Sequence, residues 1–117
     1  MSYVDGFVAA VPTANKAAYR AHAEQAGEVF REHGALQFIE CWGNDVPGGR
    51  LTSMPQAVRC QADETVVFSW VLWPSKEVRD AAMPKVMADP RCSQEHNPMP
   101  FDNARLIYGG FDVMVDL

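Results

Sequence analysis

The residues best placed to do chemistry lie between positions 22 and 53. Glu40, Cys41 and Trp42 end a strand-like run, and Asp45, Arg50, Thr52 and Ser53 follow in the turn-rich stretch GNDVPGGRLTSMP. Loops that leave a rigid strand are common sites of binding and catalysis. Glu40 or Asp45 could serve as a general base if desolvation raised its pKa. Arg50 could grip a carboxylate through its two-pronged guanidinium, and Ser53 could add a hydroxyl to the same ligand. The same residues also read as a surface loop whose charges pair with one another. His22 and His33 are eleven residues apart on a helical pattern, which sets them about 20° apart around the axis and about 16 Å apart along it. They cannot share a metal ion; each is a candidate base or a boundary histidine packing its ring edge. Cys41 has no neighbouring base to form a thiolate and reads as a small hydrophobe. The chain carries no phosphate loop, dinucleotide fingerprint, H-E-x-x-H or G-x-S-x-G motif, so no metal and no cofactor is expected.

The elements that must position these residues follow from hydrophobic period and punctuation. Tyr3–Val11 reads as a strand ended by Pro12, with Thr13 as the N-cap of a helix over Ala14–His33. On that helix Arg20, Glu24, Glu28, Arg31 and Glu32 fall on one side, with Tyr19, His22, Ala23, Ala26, Val29, Phe30 and His33 opposite. Gly34 suits the residue after its C-cap. Ala35–Trp42 is a second strand, which Ala57–Gln61 continues as a short one. Ser75 caps a second helix with Val78, Ala81 and Ala82 inward and Lys76, Glu77, Arg79 and Asp80 outward. Pro84 predicts a kink or restart near Met83, since an interior proline costs about 3 kcal/mol. Arg105–Leu117 is the last strand, and Gly109-Gly110 within it predicts a bulge or a close approach by another group.

The order is β-α-β-β-α-β, that of a ferredoxin-like α+β fold. Right-handed crossovers place both helices on one sheet face. The strand Thr65–Trp73, TVVFSWVLW, is apolar on both sides, so the face without helices also needs a cover. The simplest cover is a second copy of the chain, giving a homodimer around a protected cavity. Trp70 and Tyr108, with Phe68, then line that cavity as a ligand-binding wall or fill it as a dimer core.

At 117 residues the chain fits a single domain over 1–117. The net charge is −5 and the basic residues are scattered, which argues against nucleic-acid binding and against docking on anionic membranes. No apolar run approaches the ~20 residues of a membrane span, and the N-terminus lacks the basic start of a secretory signal. Three widely spaced cysteines, Cys41, Cys60 and Cys92, suggest a reducing cytoplasm rather than a disulfide framework.

Several stretches, in order, carry a family resemblance: YVDGF, DVPGGRLTSMPQAV, ETVVFSWVLWPS, KVMADPR, and MPF followed by IYGGF. Together they resemble the bacterial YbaA-like proteins, a domain of unknown function (number 1428), over essentially the whole chain. The resemblance implies the dimeric α/β-barrel superfamily, in which two ferredoxin-like sheets pack face to face. Pro84 departs from the uninterrupted second helix of that pattern. No established activity comes with it: relatives in fold include cofactor-independent monooxygenases, haem-degrading enzymes and small binding proteins, and fold alone is a weak warrant for chemistry. Haem degradation would need a well-placed histidine, yet the second helix has none and His96 lies beyond it in a proline-flanked loop. Two readings stay open. One is a small-molecule site with cofactor-independent, monooxygenase-like chemistry; the other is a non-enzymatic homodimer that binds a metabolite or a protein partner.

Overall fold

The structure is a computed structural model that describes residues 1–117. Its elements are β1 (Tyr3–Pro12), α1 (Lys16–Glu32), β2 (Gln37–Trp42), the single-turn α2 (Met54–Ala57), β3 (Glu64–Trp73), α3 (Lys76–Ala88) and β4 (Ile107–Asp112). The four strands form one antiparallel sheet in the order β2-β3-β1-β4. Central strands β1 and β3 pair from Tyr3 opposite Trp73 to Pro12 opposite Glu64. No helix is long and apolar enough to cross a membrane.

The alternation in β3 sorts its side chains between two environments. Val67, Ser69, Val71 and Trp73 are all buried, whereas Phe68 on the other face is 41% exposed. The buried set joins Tyr3 and Val11 of β1, Tyr19, Ala23 and Phe30 of α1, and Val78, Ala82 and Met83 of α3. Both long helices therefore lie on one sheet face, in two layers, and the molecule measures only 21 Å along its shortest axis. The other face carries Val4, Val8, Ile39, Phe68, Trp70, Leu72, Ile107 and Phe111 in register.

Local chemistry sets the element ends. Ser75 accepts a hydrogen bond from the Val78 amide (3.2 Å) and starts α3 as expected. Gly34 adopts φ +109° after α1, and the Ala35 amide then reaches back to the Phe30 carbonyl (3.1 Å). Thr13 does not cap α1. It prolongs the β1 register beside β3, so its hydroxyl meets that of Thr65 (2.7 Å), and α1 starts after a 3-10 turn without a side-chain cap. The expected short strand at Ala57–Gln61 is also absent. Ser53 caps α2 by accepting from the Gln56 amide (3.1 Å), and Pro55 sits in the first turn, where its missing N–H costs nothing. Val58 is then fully buried against Ala10 and Val66, on the sheet face opposite the two long helices.

Three further expectations are corrected. Helix α3 passes through Pro84 without a restart; Pro84 is on the exposed side, where water can satisfy the Asp80 carbonyl that loses its amide partner. Arg79 turns inward instead of out: it pairs with Asp5 (3.5 Å), donates to the Tyr3 hydroxyl (2.9 Å) and lies over the Tyr3 ring (4.8 Å). Asp5, the one charge inside the apolar run of β1, also accepts from the Trp73 indole (3.0 Å). Strand β4 stops at Asp112, and Gly109 and Gly110 form no bulge, since they stay in register opposite Gly6 and Asp5. Gly110 instead leaves the space that the Tyr3 hydroxyl and the Arg79 guanidinium fill.

A methyl group at position 110 would collide with the Tyr3 ring and hydroxyl, whereas one at Gly48 meets nothing. Gly110→Ala is expected to lose about 1–3 kcal/mol in urea denaturation, while Gly48→Ala leaves the midpoint unchanged. Equal stability of the two variants would mean that the Tyr3–Arg79 packing over β4 is not formed.

Candidate functional site

Glu40 faces the helices from edge strand β2, in register with Ser69 of β3. A carboxylate on this face is unusual, because its neighbours along β2, Phe38 and Trp42, pack into the core. The first turns of α1 bring Tyr19 over it, and the Tyr19 hydroxyl donates to Glu40 Oε1 at 2.6 Å. Glu40 as a whole is nonetheless exposed, reached by solvent from the side through an open groove of about 1030 Å³ between α1 and β2. Beneath, between α1, α3 and the sheet, lies a hollow of about 190 Å³. Tyr19, Ala23, Phe38 and Glu40 line both spaces, so the Tyr19–Glu40 bond stands at the boundary between groove and hollow.

The hollow is mostly apolar, with Phe7, Phe30, Phe38, Met83 and Phe101 in its wall, and its polar groups are Tyr19, His22, Glu40 and Ser69. Desolvation raises the Glu40 carboxyl above the ordinary carboxylate range, against the opposing hydrogen bond from Tyr19 and the nearby Ser69 hydroxyl. Burial, and then the Glu40 charge beside it, push the Tyr19 phenol up so that it stays a donor. His22 is held by Asn97. The Asn97 amide nitrogen donates to the carbonyls of His22 (3.2 Å) and Arg91 (2.7 Å), which turns its oxygen toward His22 Nδ1 at 3.0 Å. In the neutral ring Nδ1 therefore carries the proton, and Nε2 is the free acceptor.

The connector after α3 closes this side. Arg91 bridges Asp89 (2.8 Å) and Glu32 (2.6 Å), and Asn15 donates to the Pro100 carbonyl (2.9 Å), so Met99 and Phe101 are pressed against α1. Arg91 also holds the Asp89 carboxyl down to about 2.

Of the residues singled out by sequence, the structure brings Glu40 and His22 to one hollow and leaves the rest elsewhere. His33 caps the far end of α1 and lines neither space. Asp45 and Arg50 are exposed on the loop and form no ion pair. The Ser53 hydroxyl is engaged in capping α2. Trp70 lies on the open sheet face, where its indole donates to Gln37 (3.3 Å). Tyr108 is on the opposite, helix-bearing side, stacked on Phe7 (6.3 Å) and 76% exposed, so it does not join Trp70 in one wall. Cys41 is on the open face, half-buried. Sequence reasoning passed over Tyr19, Ser69 and Asn97. Ser69 had a signal: it is the lone hydroxyl inside TVVFSWVLW.

The family described as "Protein of unknown function (DUF1428)" matches residues 2–103. The chain is 53% identical over 116 residues to "Uncharacterized protein YbaA" of Escherichia coli strain K12, covering 99% of each chain. The same identity and coverage hold for the proteins of that name in Escherichia coli O157:H7 and Shigella flexneri. The chain belongs to the DUF1428 family. The matched region includes the whole Tyr19–His22–Glu40–Ser69–Asn97 constellation, while β4 lies beyond it.

The raised Glu40 pKa has a definite sign in stability. Between the ordinary carboxylate pKa and the raised one, the native state keeps a proton that the unfolded chain has lost, so stability falls as pH rises through that window. Glu40→Gln is expected to flatten this part of the melting-temperature profile between pH 4 and 8. Tyr19→Phe removes a hydrogen bond that favours the charged carboxylate, and a carbon-13 titration should then show Glu40 moving higher still. A Glu40 titration unchanged in that variant would refute the bond. Arg50→Ala should shift stability by no more than about 0.5 kcal/mol, read by the same denaturation.

Proposed function

We propose that the chain is a ferredoxin-like α+β domain over residues 1–117 that pairs through its open sheet face into a dimeric α/β barrel and binds a small molecule in the hollow under α1. Strand order β2-β3-β1-β4, with both long helices on one face, supports the fold reading. The open face supports the dimer. By register its only charge is Glu64 at one end, which pairs with Arg105, and Val58 covers Ala10 and Val66 there, leaving the part from Val4 to Phe111 uncharged and open. Phe68, Ile107 and Phe111 on it are large apolar side chains left 41%, 43% and 58% exposed, a contiguous apolar surface of the kind that serves interaction. A two-fold axis lets one such patch cover its own copy. The three unpaired thiols fit a reducing cytoplasm.

The observation that carries the ligand reading is Glu40, a carboxylate placed among core aromatics, hydrogen-bonded by Tyr19 and raised in pKa at the wall of a hollow. Perturbed groups of this kind, converging with other polar side chains on an apolar space, mark binding and catalytic sites. Glu40 and His22 Nε2 can each take a proton from a bound molecule, which is what cofactor-independent chemistry of the monooxygenase-like kind would require first.

Native mass spectrometry at low activation tests both parts. The expected species is a dimer, with added mass when a ligand is retained. Trp70→Glu buries an unpaired charge in the proposed interface and should give monomer or insoluble protein; a soluble dimer from this variant would overturn the face-to-face arrangement.

A further inference from the structure

We infer that the hollow under α1 selects a hydrogen-bond donor of about one aromatic ring, such as a benzylic alcohol or amine, and rejects carboxylates. This deepens the proposed function and rests on the hollow being a ligand site. Size comes first: an apolar cavity of about 150 Å³ accommodates benzene, and the space here is about 190 Å³. It therefore takes one ring bearing a short substituent.

Polarity comes second, from an inventory of donors and acceptors. No lysine or arginine lines the hollow. The Tyr19 hydroxyl is committed to Glu40, to which it donates at 2.6 Å, and the Ser69 hydroxyl sits opposite Glu40 on the neighbouring strand. The His22 Nδ1 proton is committed to Asn97 Oδ1 at 3.0 Å. What remains unspent is accepting capacity, on the Glu40 carboxylate and on His22 Nε2. A ligand hydroxyl or amine finds a partner there, whereas a carboxylate would meet the Glu40 carboxylate with no cation to offset it. The groove outside offers no such bias, because Lys16, Arg20 and Arg31 lie along it.

The test compares toluene, benzyl alcohol, benzylamine and benzoate at matched concentrations, pH 7.5, by amide NMR shifts of Tyr19, Ser69 and Val71. Benzyl alcohol and benzylamine should bind at least tenfold more tightly than benzoate and more tightly than toluene. Glu40→Gln should narrow the gap to benzoate, and Arg20→Ala, on the groove, should leave it unchanged. Benzoate binding as tightly as the alcohol, with shifts at the same amides, would overturn the donor preference while leaving the ligand site standing. So would toluene matching the alcohol. If none of the four shifts these amides, the hollow is not a ligand site, and both readings fall together.

Discussion

Everything in this molecule hangs on the two-residue period of β3. Because successive side chains point to opposite faces, one ten-residue strand anchors the helix layer with Val67, Val71 and Trp73 and presents Phe68, Trp70 and Leu72 on the other side. A slip of one residue would exchange the two sets. The long antiparallel pairing with β1 prevents it, and it is reinforced where Asp5 accepts from the Trp73 indole and pairs with Arg79. Asp5 accepts from the Trp73 indole and Arg79 donates to the Tyr3 hydroxyl, while the Arg79 Nε facing Asp5 has no hydrogen-bond partner, and the network ties α3 to the central strands.

The same period brings a polar pair into the helix-covered face. Ser69 and Glu40 occupy opposite positions on β3 and β2, so each is surrounded by residues that build the core. An apolar pair would pack there at lower cost. Instead Tyr19 must come down from α1 to supply a donor, and the hollow persists where a continuous core would otherwise form. The price of this arrangement is a carboxylate with a raised pKa. Local packing is thus least favourable where acid–base groups converge, the pattern expected when a site rather than stability sets residue choice.

What the sequence made legible was the part governed by local periodicity. The order of the long elements, the two-sided character of TVVFSWVLW, the Ser75 cap and the Gly34 stop all follow from rules acting within a few residues. The misses have the same root. Thr13 was expected to cap a helix but found a partner 52 residues away, and Arg79 was assigned to the solvent side of α3 although a part-buried aspartate on β1 draws it inward. Asn97 left no trace in the sequence, because its role comes from reaching His22 across 75 residues. Glu40 was visible as a polar residue alternating with Phe38 and Trp42, but that pattern does not show that Tyr19 would meet it.

The division between Glu40 and the loop that follows it is instructive. Sequence proximity grouped Glu40 with Asp45, Arg50 and Ser53 as one loop-borne site. The chain separates them, because Glu40 is the last inward-facing charge before β2 ends, whereas Asp45 and Arg50 lie out in solvent and Ser53 is used to start α2. The candidate-site groups with perturbed pKa therefore collect under the helix layer, where desolvation acts on them, and not on the exposed turn, where water screens charges. A carboxylate facing the helix layer, a phenol held protonated and an imidazole with one nitrogen tethered are each costly to build. Their convergence on a single hollow is why the proposed function places the site between α1 and the sheet rather than on the glycine-rich loop.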